Sequence, residues 1–255
     1  MPPLRLLASA LFALALAGVP SLASAQAFSD DQRGQIESIV RSYLLAHPEV
    51  LEEVSAELSK RQAAAEAEKH QAAIAQNAQT IFNSPRGVTL GNKDGDVSFV
   101  EFFDYNCGYC KRAMGDMLEL MKDDPKLKVV LKEFPVLGPG SVEAAQVAVA
   151  VRMQDSGGKK YLDFHQKLLG GRGQADKARA MAAAKDAGLD MAKLEKDIAS
   201  PEVRATIEEN FKLAEAMGMN GTPSYVIGKQ VVVGAVGLEA LKEKIGIARC
   251  GKATC

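Results

Sequence analysis

From Phe28 onward apolar residues recur at helical spacing. Ile36, Ile39, Val40, Tyr43 and Leu44 fall at i, i+3, i+4, i+7 and i+8, which places them on one face of an α-helix. Ser29 and Asp30 stand where an N-terminal cap belongs. The pattern predicts helix to about Phe82, broken or re-capped at His47-Pro48. Beyond that break Leu51, Val54 and Leu58 keep an a/d spacing. The run KRQAAAEAEKHQAAIAQNA that follows offers little apolar surface to a globular core, so the helix reads as a stalk or half of an interface.

The pattern changes near Val88. GVTLGNKDGDVSFVEFF carries glycine and aspartate turn signals between two strand-like runs, the second from Val97 to Phe103. Helix is expected from the cysteines to Lys122, then a buried strand from Leu127 to Glu133. LGPGSVEAAQVAVAVRMQ opens a mostly helical stretch reaching about Met219, with breaks at glycines and at Pro201. GTPSYVIGKQVVVG then reads as a hairpin-like pair of strands before a last helix from Leu238 to about Ile247. Strands alternating with helices in this order give an α/β fold class.

The first 25 residues form a targeting pattern: Arg5, an apolar stretch from Leu6 to Ala17, and Ala23-Ser24-Ala25 before Gln26. Pro20 and Ser21 interrupt the run short of the roughly 20 apolar residues a membrane span needs. A cleaved signal peptide is therefore expected, with export to an oxidising compartment, the periplasm. Its removal takes away Arg5 and no acid, so the formal charge goes from −1 over 255 residues to −2 over the remaining 230. Nothing in that balance asks for nucleic acid. With 47% hydrophobic residues the chain can bury a core without disulfide staples. Its four cysteines are thus free for chemistry.

Two of them, Cys107 and Cys110, lie between the second predicted strand and the following helix. A thiol in the first turn of a helix meets unpaired backbone N–H groups and the positive end of the dipole, which stabilise a thiolate. Cys107 has that place, and Cys110, one turn on, is near enough to resolve a mixed disulfide formed on Cys107. A structural staple and half of a zinc site are the alternatives, but zinc needs a second ligand pair. Cys250 and Cys255 could supply one, yet neither pair lies in a small zinc-binding context.

FVEFFDYNCGYC, followed by a helix, a helical insertion and GTPSYVIG, resembles the thioredoxin-fold thiol–disulfide oxidoreductases of the DsbA type over roughly Val88 to Ile247. With its helical N-terminal extension the mature chain is most similar to the ScsC proteins, named for suppression of copper sensitivity. The resemblance implies a thioredoxin fold with a helical insertion at about 138–200, within a catalytic domain at 83–255. A helical oligomerisation region and linker at 26–82 would precede it. It implies that Thr222-Pro223 is the cis-proline loop facing the cysteines. It also implies that Glu101 is the buried acid that relays a proton for Cys110; an exposed edge-strand carboxylate is the bland alternative. Gly108 and Tyr109, with Thr222 and Pro223, form the implied substrate platform. The CGYC dipeptide resembles that of the periplasmic disulfide isomerases and departs from the CPHC of DsbA, whose histidine adds a positive partner for the thiolate.

The implied activity is disulfide isomerase or reductase, with no cofactor beyond the redox-active Cys107–Cys110 pair. A disulfide-donating oxidase, a copper- or zinc-binding protein, and a coiled-coil scaffold or holdase are the competing readings. Implied partners are misfolded or mis-oxidised envelope proteins, a membrane electron transporter of the DsbD/ScsB type, and further copies of the chain in a homotrimer. Cys250 and Cys255, so close together in an exported chain, are expected to form a local structural disulfide, with metal binding and a second exchange pair as the alternatives. His47, His70 and His165 share no metal-ligand spacing with one another or with that pair, and no metal site is expected.

Overall fold

The computed structural model describes residues 28–155 and 157–255; the expected signal peptide lies outside the described residues. The described residues divide into two compact units, one ending at Leu58 and one running from Ser59 to Cys255.

In the first unit helix α1, Asp30–Ala46, opens on a capping box. The Ser29 hydroxyl accepts from the Gln32 N–H, and the Gln32 side chain accepts from the Ser29 N–H, so two orphan donors are satisfied reciprocally. Asp30 and Asp31 add negative charge at the positive end of the dipole. The helix ends at His47, whose ring packs on Tyr43, and α2, Glu49–Asn83, starts after Pro48. No residue of α1 is buried. Ile36, Ile39, Val40 and Tyr43, with Leu51, Val54 and Leu58 of α2, are all exposed.

The second unit is built on a five-stranded sheet of order β1-β3-β2-β4-β5. The strands are β1 Val88–Gly91, β2 Val97–Phe103, β3 Leu127–Glu133, β4 Ser224–Ile227 and β5 Gln230–Val233. Strand β2 is central, parallel to β3 and antiparallel to β4. A strand covered on both faces reads as an unbroken apolar run, and Phe99, Val100, Phe102 and Phe103 are accordingly all buried. Their alternation divides the core. Phe99 and Phe103 join α3, Gly108–Asp123, and α9, Leu238–Cys250, on one face. Val100 and Phe102 meet the other face with Leu213 and Ala214 of α8, Pro201–Ala216.

Between β3 and α8 lie helices α4 Pro139–Gln154, α5 Lys159–Gly170, α6 Lys177–Asp186 and α7 Met191–Ile198, covering the expected insertion. Helix α4 is its axis. Val147, Ala148, Val149, Ala150 and Val151 are fully buried in succession, as for a helix enclosed on all sides.

One boundary differs from the sequence expectation. The alanine-rich half of α2 is not merely stalk or linker ending at 82: it belongs to the second unit, and Ile74 and Ile81 are buried in the core with Val100, Phe102 and Val226. Two isoleucines seven residues apart lie on one side of a helix, and small alanines between them allow close approach to a sheet. An apolar count along the segment misses this because only the two contact positions need be large.

Ile81→Ala should therefore lower the stability of the second unit by about 2–5 kcal/mol, the usual cost of truncating a fully buried isoleucine. Leu51→Ala, at an exposed position, should leave the same urea transition in place. Equal midpoints for Ile81→Ala and wild type would show that α2 is not part of that core.

Candidate active site

Strand β2 delivers the chain to a tight turn, Asp104–Asn106, and then to Cys107, the N-cap of α3. Asp104 is buried, and its carboxylate takes three backbone N–H groups: Asn106 at 2.7 Å, Val136 at 2.9 Å and Leu137 at 3.0 Å. The Asn106 amide reaches the insertion, accepting from the Ala175 N–H at 2.7 Å and donating to the Ala175 carbonyl and the Ser141 hydroxyl at 2.9 Å each. Lys111 donates to the Gly171 carbonyl. The loop before the cysteines is thereby tied to the segment after β3 and to the turn before α6.

Cys107 occupies the position where Ser, Thr, Asp or Asn usually caps a helix. Its sulfur accepts from the Cys110 N–H at 3.2 Å and lies 3.2 Å from the Thr222 carbonyl oxygen, to which the thiol donates. The hydrogen bond from the Cys110 thiol, followed by those from the Thr222 side chain and the Cys110 and Tyr109 N–H groups, outweighs burial and lowers the Cys107 pKa to about 6. Cys110 is the opposite case. It has no exposed surface, and burial, reinforced by its bond to Cys107, holds its thiol far above the ordinary range. Both sulfurs are free thiols here. The geometry yields one acidic sulfur at a helix terminus and one protonated sulfur behind it, the asymmetry that thiol exchange requires.

Thr222-Pro223 is a cis peptide and places the Thr222 carbonyl against Cys107. Gly108 is exposed, and a Cβ there would touch nothing within 4 Å. Tyr109 is 60% exposed, with the Arg112 guanidinium 4.3 Å from its ring centre. Glu101 is buried on β2, not exposed at an edge. Burial first, then the neighbouring charges of Cys107 and Asp116, raises its carboxyl to about 8. The sequence thus brings Glu101, Cys107, Cys110, Thr222 and Pro223 to one place; Asp104, Asn106 and Tyr225 were not singled out in it.

Cys250 and Cys255 stand apart, joined by a disulfide at the end of α9. The tail folds back so closely that a Cβ on Gly246 would lie 2.5 Å from the Ala253 carbonyl oxygen. His165 is buried among Tyr105, Tyr161 and Phe103, and desolvation lowers its pKa to about 3, so it is neutral. Among the described residues no cluster of three or more His, Cys, Asp or Glu side chains could hold a metal ion. No helix there is long and apolar enough to cross a membrane.

The DSBA-like thioredoxin domain matches residues 99–246, which include both sulfurs, Glu101 and the cis-proline loop. The chain belongs to that family. The N-terminal domain of copper resistance protein ScsC matches residues 32–65. A linker-deletion mutant of ScsC from Proteus mirabilis is similar over nearly its whole length: 27% identity, covering 88% of this chain and 98% of that one, with a TM-score of 0.65. A thioredoxin-like oxidoreductase from Silicibacter pomeroyi is 42% identical, covering 67% of this chain and 96% of that one, with a TM-score of 0.64. A Na+/H+ antiporter, NhaA 1 of Salinispora arenicola, is 25% identical over 163 residues, 63% of this chain. The chain spans only 24% of the length of that curated relative.

Two pH measurements follow from these groups. Alkylation of the reduced chain, mapped by mass, should label Cys107 with a midpoint near pH 6 and leave Cys110 unlabelled up to pH 8. Preferential labelling of Cys110 would reverse the two roles. For Glu101, a folded-state pKa above the unfolded one means the native chain keeps a proton that the unfolded chain has lost. Its contribution to stability therefore falls as pH rises from 4.5 to about 8. Glu101→Gln should flatten that fall, and an unchanged slope in denaturant titrations would place Glu101 in a more polar setting.

Proposed function

We propose that this chain is an exported thiol–disulfide exchange enzyme acting as a disulfide isomerase or reductase on misfolded or mis-oxidised envelope proteins. The observation that carries the reading is the Cys107 sulfur at the α3 N-cap, acidic and beside the Thr222 carbonyl, with Cys110 buried behind it. The Cys107 thiolate attacks a client disulfide, releases one client sulfur and holds the other in a mixed disulfide. Either the released sulfur re-pairs elsewhere and a client thiolate frees Cys107, or Cys110 attacks Cys107 and the client leaves reduced. The chain's own resource is this Cys107–Cys110 pair, with no separate cofactor. Thr222 and Pro223 present backbone to an extended client segment, and the exposed Gly108 and Tyr109 border its path.

An isomerase must be kept reduced in an oxidising compartment, which calls for an electron-donating membrane partner of the DsbD/ScsB type. The exposed apolar residues of α1 and early α2 support assembly with further copies, a homotrimer by similarity to ScsC. Several Cys107 sulfurs around one client raise the effective concentration for re-pairing. One observation favours the oxidase alternative: a stabilised Cys107 thiolate makes the dithiol the favoured state and the disulfide correspondingly oxidising.

Reactivation of scrambled ribonuclease against oxidation of the reduced enzyme decides between them. Reactivation by the reduced chain without added oxidant is expected; activity only in the oxidation assay would make it an oxidase. Val40→Lys with Val54→Lys, at two exposed positions in the full chain, should shrink the assembly by light scattering. It should also cut scrambled-client reactivation several-fold while peptide disulfide exchange stays unchanged. An assembly of unaltered mass would sink the oligomerisation reading.

A further inference from the structure

Tyr225 is fully buried, and its hydroxyl has no hydrogen-bond partner among the described residues. A phenylalanine would fill the same space without that penalty, and an unpaired buried polar group calls for an explanation. Register supplies the first part of one. Tyr225 on β4 is the direct cross-strand partner of Glu101 on β2, and such partners point to the same face with Cβ atoms about 4.5–5.5 Å apart. That face carries the sulfurs: Tyr225, Phe99, Cys107 and Cys110 share one core cluster, with the Tyr225 ring centre 5.1 Å from that of Phe99. A hydroxyl, a carboxyl and a thiol, each able to hold or give a proton, are thus enclosed together beneath the helix terminus.

The other groups around Glu101 do not offer the same service. Cys107, Cys110 and Asp116 of α3 are acids or thiols that disfavour its ionisation or await its help. Asp116, in the middle of α3, is half-buried. Strand β3 places Leu131 beside it, and α9 buries Leu241 and Ile245. The titratable groups of β3 and α5 on this side are engaged elsewhere: Tyr161 donates to Glu133 at 2.5 Å, and the Tyr105 hydroxyl lies between Tyr161 and His165.

We propose that Tyr225 is a positioning residue for the proton transfer at Cys110, donating its hydroxyl hydrogen bond to the Glu101 carboxylate once Glu101 is ionised. This rests on the reading of the chain as an exchange enzyme with Glu101 as the base. In the dithiol form Glu101, raised to about 8, is neutral at pH 7 and a weaker acceptor than the carboxylate it becomes. In the mixed disulfide the ionised Glu101 takes the proton from the Cys110 thiol. The new thiolate attacks the Cys107 sulfur, the Cys107–Cys110 bond forms, and the Cys107–client bond breaks. The client sulfur leaves with the electron pair and is protonated from solvent. Two electrons pass from the enzyme dithiol to the client disulfide. Tyr225 gives up no proton; it lowers the cost of the buried carboxylate at the moment the carboxylate is needed.

The test is the resolution step alone: a mixed disulfide of Cys107 with a small thiol, its decay followed by rapid quench from pH 5 to 10. In wild type the rate should rise with a Glu101-dependent midpoint, and Glu101→Gln should abolish that limb. Tyr225→Phe, which removes one oxygen, should move the midpoint up by about one unit, making the step about tenfold slower at pH 7, with the alkylation midpoint of Cys107 unchanged. An unshifted profile, or uniform slowing at every pH, overturns the proposal. A Glu101→Gln enzyme with the wild-type profile overturns instead the reading of Glu101 as base, on which the proposal stands. Should Tyr225→Phe not fold, the Glu101 carboxylate infrared band is read at high pH in the mixed disulfide of Cys110→Ala, in which resolution cannot occur, and is identified by its loss when Glu101→Gln is added. A band displaced by a phenolic donor supports the proposal, and a free-carboxylate band overturns it.

Discussion

A sulfur atom stands in this fold where an oxygen usually caps a helix. The Cys107 Sγ accepts the Cys110 N–H at the start of α3, and the remaining features of the site either hold that sulfur in place or act through it. Strand β2, buried on both faces, fixes the entry point. The Asp104 carboxylate, with its three backbone donors, fixes the turn. The Asn106 amide fastens the turn to the insertion. Were the sulfur half a turn further into the helix, its lone pairs would face no free N–H group and the thiolate would lose its main support.

The central parts of this arrangement are legible in the sequence because they are local. A C-x-x-C between a β-branched and aromatic run and an amphipathic run can hardly sit elsewhere than at a strand-to-helix junction, and the α/β order follows from the periods on either side. Thr222-Pro223 is assigned by resemblance to a family, since neither spacing nor composition says that it will meet Cys107, 115 positions away; Glu101, six residues before Cys107, needs the same resemblance because an acid in a strand reads first as exposed. Asp104 and Asn106 carried no such sign. Their long-range partners lie 32 to 69 residues away in sequence, and an Asp-Tyr-Asn triplet before a helix reads first as an ordinary turn. Tyr225 was hidden for the opposite reason: tyrosine is an expected strand residue, and only the β2–β4 register makes it the neighbour of Glu101.

The alanine-rich half of α2 shows where hydrophobic counting fails. A helix packing against another helix must present a stripe of large side chains. One packing against a sheet already rich in Phe and Val needs only two, here Ile74 and Ile81. The anchoring is completed by charge: Arg86, just past α2, pairs with Glu202 and Glu209 of α8, and the Ser84 hydroxyl donates to Glu209 at 2.5 Å. The helix reads as an appendage by composition and is a wall of the catalytic unit by contact.

The two buried acids of the site are coupled in a way that orders the proposed chemistry. Among the causes that hold Glu101 neutral is the negative charge of the Cys107 thiolate. While Cys107 is free, that charge opposes ionisation of Glu101, and on the proposed reading of Glu101 as base a protonated Glu101 does not activate Cys110. Bonding of Cys107 to a client sulfur abolishes the thiolate charge. The repulsion disappears and Glu101 ionises more readily, so the proposed base arises at the stage where the Cys110 proton has to leave. Like charges in a low-dielectric site repel strongly; in the proposed mechanism the same repulsion sets attack by Cys107 before activation of Cys110.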